Sequence, residues 1–193
     1  MKDKVIILDI DEVLLKWVDG FSDFLYRYWG ITTQGSPKEW DLSVWLGCSK
    51  ETAMEFVRSF NEESSEFGEL KPFREAVPAL HDLRDLGYNL YGVTASCETV
   101  EGKRNRIYNL LDVFGNVFED VHFVPMGASK KEILVTFPKG SFYVEDNIYN
   151  VADGVDLGLN VVQYIRPHNV SLRHTEAYWA DSWADIADYI RRC

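Results

Sequence analysis

Apolar positions along the chain alternate between two patterns. A continuous apolar run at 5–8 reads as a strand buried on both faces, and 89–94, 121–124, 141–145 and 160–165 read as further strands. Between them, apolar residues recur at helical spacing. Val13, Trp17, Phe21, Phe24, Leu25 and Tyr28 predict a helix from 13 to about 28, with Gly30 as its stop. Ala76, Leu80, Leu83 and Leu86 predict another, closed by Gly87. Further helices are expected over 98–111, 129–137, 148–155 and 181–191. Strands alternating with helices predict an α/β domain: a parallel sheet with helices on both faces.

One stretch interrupts that alternation. Residues 17–69 read as helical and carry four of the six tryptophans, Trp17, Trp29, Trp40 and Trp45. A second helix is expected from Ser36, with Pro37 at its first position and Glu39 where a capping-box acid sits. A third is expected near Ser49, and the polar run 61–66 reads as a loop or hinge. The organisation that follows is a core of 1–16 and 70–193, with a helical cap of 17–69 inserted after the first strand.

Composition narrows the partners. The chain has 193 residues, 46% of them hydrophobic, enough for a real core, and a formal net charge of −11. A surface that acidic repels polymeric nucleic acid and anionic membranes, though a local cation site can still hold a small phosphate ester. Cys48, Cys97 and Cys193 are odd in number and show no metal-ligand spacing, so reduced thiols in a cytoplasmic compartment are expected. The apolar run after Met1–Lys4 is too short for a signal peptide, and no run is long enough to span a membrane.

Candidate chemistry gathers where strands end. The first strand runs into Asp9-Ile10-Asp11. Two carboxylates so close repel and resist desolvation, and a divalent cation, Mg²⁺ by the hardness of the oxygens, relieves both effects. An acidic turn after a strand is the plain alternative. Thr94 ends the second strand, where its hydroxyl can hold a phosphate oxygen; Ala95 follows, and Ser96 reads as a helix N-cap. Ser129 and Glu132 have capping-box spacing, but Lys130 lies at the positive end of a helix dipole. A lysine placed against that preference answers a negative charge elsewhere, whereas Lys131 reads as a solvated surface residue. Another strand ends in Glu145-Asp146, and Asp146 could join Asp9 and Asp11 around one cation. Asn147 reads as a cap for the helix behind it.

Asp9-x-Asp11-x-Val13, Thr94, Lys130 and Glu145-Asp146, in that order and each at a strand end or helix start, resemble the haloacid dehalogenase (HAD) superfamily of phosphotransferases. The resemblance spans nearly the whole chain, with the helical stretch where that family inserts a cap. The Trp40-Asp41-Leu42 and Trp45-Leu46-Gly47 segments are similar to the 5′(3′)-deoxyribonucleotidase branch and its phage and bacterial relatives. It implies a Rossmann-like core and a Mg²⁺-dependent phosphomonoesterase acting on a small phosphorylated metabolite, a nucleoside monophosphate first. Asp9 would be the nucleophile and Asp11 the acid and base. Thr94, Ala95 and Lys130 would hold phosphate. Asp9, Asp146 and the carbonyl of Asp11, with Glu145 alongside, would hold the metal. Two departures stand out: Glu12 occupies a position where many members have Gly, which puts negative charge near the substrate, and Ala95 interrupts a Thr-Ser pair.

Other readings stay open at this stage. The fold could serve a non-catalytic phosphate sensor or regulatory protein, which would not need to keep both Asp9 and Asp11. Another small phosphate ester could be the substrate. The resemblance implies that phosphonate cleavage would use a cap lysine, and the expected cap offers only Lys38 and Lys50. His81, His122, His168 and His174 lack metal spacing and read as surface or core residues. Cap aromatics read mostly as core, with Trp17 or Phe21 the ones placed to face the site.

Overall fold

The computed structural model describes residues 4–193; residues 1–3, part of the N-terminal run considered above, lie outside it. Six parallel strands form one sheet: β1 (Val5–Leu8), β2 (Asn89–Thr94), β3 (Phe118–Phe123), β4 (Phe142–Glu145), β5 (Asn160–Tyr164) and β6 (Tyr178–Ala180), in the order β3-β2-β1-β4-β5-β6. β1 lies at the centre, hydrogen-bonded to β2 on one side and β4 on the other. The side-chain period of two sorts this strand between two cores. Ile6 and Leu8 join the larger cluster, while Val5 and Ile7 join the smaller one on the opposite face. Both faces are therefore covered, as an all-parallel sheet requires.

Helices α1 (Trp17–Trp29), α2 (Leu42–Leu46) and α3 (Lys50–Arg58) belong to the insert; α4 (Ala76–Asp85), α5 (Val100–Phe114), α6 (Lys131–Leu134), α7 (Ile148–Asp156) and α8 (Trp183–Arg192) flank the sheet. α8 is fixed by Trp183, fully buried, whose indole N–H donates to the Val13 carbonyl at 2.9 Å. Within the insert, Trp17 stacks on Phe21 with ring centroids 4.6 Å apart, and Phe24 meets Phe60 at 5.0 Å. These rings are continuous with the main core. The insert thus has an aromatic interior that it shares with the sheet domain.

Several local expectations change. The helix expected from 13 begins only at Trp17, because residues 10–15 form a tight turn instead: Leu14 and Leu15 N–H both donate to the Ile10 carbonyl, and Glu12 adopts φ 61°. No helix starts at Ser36. The chain stays irregular until Asp41, whose carboxylate accepts from Ser43 N–H at 3.1 Å and starts α2. The polar stretch 61–66 is not an open loop. Asn61 and Glu62 are buried in a π-helical turn, Ser59–Glu63, followed by a 3-10 turn, Ser65–Gly68. Asn147 does cap α7, and Ser49 caps α3, but Thr99 rather than Ser96 caps α5, accepting from Gly102 N–H at 3.1 Å. The short β6 was not anticipated, since three residues carry too little alternation to register.

The π-helical turn sits directly on α5. A Cβ at Gly102 would lie 2.7 Å from the Asn61 carbonyl oxygen and 2.9 Å from Cys97 Cβ. Glu62 reinforces the contact by accepting from the N–H groups of Glu98 and Thr99, at 2.6 and 2.8 Å, at the start of α5. The insert is therefore clamped beside the carboxyl end of β2.

Candidate active site

Strand order reverses at β1, and in open α/β sheets ligands bind at the carboxyl ends of strands next to such a point. Asp9 follows β1, Thr94 ends β2, and Glu145 ends β4 with Asp146 behind it. All line one cavity of about 530 Å³, together with Asp11, Ala95, Ser96 and Lys130. Trp17, Trp40, Leu42, Met54 and Val57 of the insert form the facing wall. Phe21 does not reach it, being fully buried among the insert aromatics.

Lys130 is the centre of the polar floor. It is 2% exposed, and its ammonium donates to Asp9 Oδ1 and, at 2.8 Å, to Glu145 Oε2. It immediately precedes α6, and its apparent conflict with the helix dipole is resolved by these two carboxylates. Lys131 instead points outward to Asp153 at 3.3 Å. Glu145 is saturated. Oε2 also accepts from the Tyr143 hydroxyl at 2.5 Å, and Oε1 accepts from the N–H groups of Asp146 and Asn147 at 3.0 and 2.9 Å.

Burial and neighbouring charge set the protonation. Burial and then the Glu145 carboxylate push Asp9 up to about 7 against the pull of Lys130. Burial, Glu145 and Asp9 push Asp146 well above the usual carboxylate range. Burial acts on Glu145 in the same sense, but Lys130 and the hydrogen bonds outweigh it and hold that carboxyl low. Burial opposes the charge on Lys130, yet Asp9 and Glu145 hold its pKa above the ordinary lysine value.

Counting charges shows what is missing. Asp9, Glu145 and Asp146 carry three formal negative charges against one ammonium. The other two acids near the first strand are balanced separately: Asp11 pairs with Arg106 at 2.6 Å, and Glu12 with Arg166 at 3.1 Å. The floor is left with a formal deficit of two positive charges in a buried setting. One oxygen from each of Asp9, Glu145 and Asp146 lies within 4.8 Å of the others, and Asp146 Oδ1 is buried without a hydrogen-bond partner. An orphaned buried carboxylate oxygen in a hard-donor cluster fits a divalent cation such as Mg²⁺. With Glu145 saturated, the open donors are on Asp9 and Asp146. The Asp11 carboxylate is not part of the cluster, so its side chain is free for another role.

Glu12 corrects an expectation. Its charge does not bear on the cavity unopposed: Oε2 is held by Arg166, and Oε1 accepts from Val18 N–H at 2.9 Å, in the first turn of α1. Neither Arg106 nor Arg166 carries a local signal in the sequence. His168, expected as a surface or core residue, lies at the acid floor. The imidazole is buried, 2.7 Å from Asp146 Oδ2 and 4.6 Å between centroids from Trp40. Burial, helped by Arg166, lowers its pKa to about 4, so it is neutral at pH 7. Ser96, read as a cap, faces the site instead and accepts from the Thr94 hydroxyl at 2.9 Å. Trp17 and Asn61 tie the wall to this loop: the indole N–H donates to Asn61 Oδ1 at 2.9 Å, and Asn61 Nδ2 donates to the Ser96 carbonyl at 2.7 Å.

No family model matches the sequence. The chain is 26% identical over 139 residues to an uncharacterized 32.4 kDa protein from the Gp30-rIII intergenic region of Enterobacteria phage T4, a match covering 66% of this chain. The match spans 47% of that protein, so the chain spans about half the length of this curated relative. Among solved structures, a HAD-superfamily hydrolase from Ehrlichia chaffeensis is similar with a TM-score of 0.63 and 15% identity, over 100% of this chain and 98% of that one. The HAD-hydrolase YfnB from Bacillus subtilis, bound to magnesium, is similar with a TM-score of 0.66 and 13% identity, over 98% and 99% of the two chains. At these identities the likeness establishes a HAD-like Rossmann-type fold. Among the described residues, no helix is long and apolar enough to cross a membrane.

Proposed function

We propose that the protein is a Mg²⁺-dependent phosphomonoesterase that works through an aspartyl-phosphate. The observation that carries this reading is the uncompensated acid floor. A buried nucleophile candidate, Asp9, lies beside a buried lysine and an orphaned Asp146 oxygen, all opening on one cavity. Asp9, Asp146 and the backbone carbonyl of Asp11 would hold the cation. When bound, it supplies positive charge that a phosphate dianion and a carboxylate both need to approach one another.

The chain's own residues do the rest. An Asp9 carboxylate oxygen forms a bond to phosphorus as the bond to the ester oxygen breaks. Asp11 gives its proton to that leaving oxygen, then takes one from the water that attacks phosphorus, releasing phosphate and free Asp9. Lys130 and the hydroxyls of Thr94 and Ser96 offer donors to the phosphoryl oxygens. The wall of Trp40, Leu42, Met54 and Val57 excludes water and offers flat apolar surface to the leaving group.

That wall favours a nucleoside monophosphate over a sugar phosphate. Stacking of a base on an aromatic is worth roughly 1–3 kcal/mol where it has been measured in single-strand binding. A second phosphate would find no free cation. Among the described lining residues Lys130 is the lone cationic side chain, and Asp9 and Glu145 already hold it. The test measures phosphate released from deoxynucleoside monophosphates, nucleoside diphosphates, ribose 5-phosphate and glucose 6-phosphate, with Mg²⁺ and with EDTA. We expect release from the monophosphates, loss in EDTA, and none from Asp9→Asn. Full activity in chelator, or from Asp9→Asn, would sink the mechanism. Equal efficiency on the sugar phosphates would remove the nucleotide assignment alone.

A further inference from the structure

We propose that Arg106 is a positioning residue for Asp11, and that it ties the acid to the insert. The inference rests on the phosphomonoesterase reading and assigns a part to a residue outside the motifs that led to it. Arg106 lies on α5 and is fully buried. Its Nη2 donates to Asp11 Oδ1 at 2.6 Å, and Nη1 makes a long 3.5 Å contact with Asn109. Its Nε is buried with no partner. The guanidinium lies over the ring of Phe67, 3.9 Å from its centroid.

Burying a guanidinium is costly, and a fold that wanted only stability would do as well with an apolar side chain. This one is left partly unsatisfied and makes one ion pair, with the carboxylate two residues after Asp9. Asp11 Oδ1 is thereby fixed. The carboxylate cannot rotate freely, and Oδ2 is the oxygen left to meet the leaving group. The hydrogen bond is strong and directional because it is charge-assisted. Phe67 belongs to the 3-10 turn that closes the insert, so the guanidinium packs directly against the insert. The contact therefore runs from the insert through Phe67 and Arg106 to Asp11. Positioning of this kind acts on proton delivery, because a misplaced acid fails the leaving group before it fails anything else.

The experiment compares kcat/KM across phosphate esters that differ in their need for that proton. The nitrophenol of nitrophenyl phosphate departs as a stable anion, whereas the phenol and benzyl alcohol of phenyl and benzyl phosphate need protonation as they depart. Because kcat/KM stops at the first irreversible step, it reports leaving-group departure and not the later attack of water. Arg106→Met should lower kcat/KM on benzyl phosphate by at least about tenfold more than on nitrophenyl phosphate, a selective loss within the range of general acid catalysis. Arg106→Lys keeps the charge and loses the fork, so it should show the same selectivity to a smaller degree; it decides the matter if Arg106→Met does not fold. In an Asp11→Asn background, Arg106→Lys should add no further selectivity. Parallel losses across the esters, or none, overturn the role of Arg106. A wild type that releases no phosphate from any ester overturns the phosphatase reading instead.

Discussion

Replacing Lys130 by Met should destabilise the protein strongly, and more at pH 8 than at pH 5. The ammonium is 2% exposed and bridges Asp9 and Glu145. Methionine fills a similar volume, so the loss is electrostatic rather than a cavity. Removing one partner of a buried ion pair costs roughly 3–5 kcal/mol because the other charge is left uncompensated. For a chain of this size each kcal/mol moves Tm by roughly 2–4 °C, so a fall of roughly 6–20 °C is expected.

The pH dependence follows from linkage. Lys130 has its folded pKa raised, so its contribution is fully present below its unfolded value and is lost only in strong alkali; between pH 5 and 8 the wild type keeps all of it. Asp9 and Asp146 have folded pKa values raised above their unfolded ones, so they oppose folding increasingly as pH rises through the interval between the two. Without Lys130 the two carboxyls it pulls down, Asp9 and Glu145, both rise. At pH 5 the carboxyls of the variant take up protons and part of the penalty disappears; at pH 8 it is felt more fully. Thermal unfolding followed by circular dichroism in EDTA at the two pH values measures both parts. A Tm within about 2 °C of wild type at pH 8 would refute the assignment of Lys130 as the charge that holds this floor together.

Gly102→Ala should cost roughly 1–3 kcal/mol, since its Cβ would meet a backbone oxygen of the insert at 2.7 Å; an unchanged urea midpoint would mean the insert is not clamped there. Cys97 is buried and its thiol pushed up to about 11, so a thiol reagent at pH 8 should label exposed Cys193 and leave Cys97 untouched until denaturant is added. Peptide mass spectrometry reads both positions, and rapid labelling of Cys97 in the native protein would contradict its packing.

The middle of the sheet was legible because β1, β4 and β5 are buried almost throughout and stand out as apolar runs, whereas β3 starts at Phe118, three residues before its expected run, because the exposed Glu119 and Asp120 hide its first half. β2 falls where its pattern ends, and β4 differs from the expected run by one residue. The insert was legible only as a region. Its helices are short, and each boundary turns on one hydrogen bond: Asp41 rather than Ser36 accepts the bond that starts α2, and the turn at Glu12 delays α1. The residues 61–66 looked like a loop because they are polar. They are ordered because Asn61 and Glu62 are bonded to Ser96, Glu98 and Thr99, partners more than thirty positions away.

The same distance explains which acids could be interpreted. Lys130 signalled itself locally, as a cation at the wrong end of a helix, and the acids at strand ends signalled themselves by the strands. Whether an acid is compensated is not a local property. Asp11 and Glu12 are adjacent and look alike in the sequence, yet their partners lie 95 and 154 residues further on. Arg106 sits mid-helix in a run of polar residues, where nothing distinguishes it from the exposed Arg104 two positions earlier. Only folding separates them, by turning one inward beneath Phe67. Glu12 shows the consequence most directly. Its extra charge suggests a cavity hostile to anions, but Arg166 and the first turn of α1 absorb it at the rim. The charge deficit that remains belongs to Asp9, Glu145 and Asp146, where a divalent cation has the oxygens it would need. In a chain of net charge −11, the acids left to a cation are thus the ones for which the fold supplies no arginine.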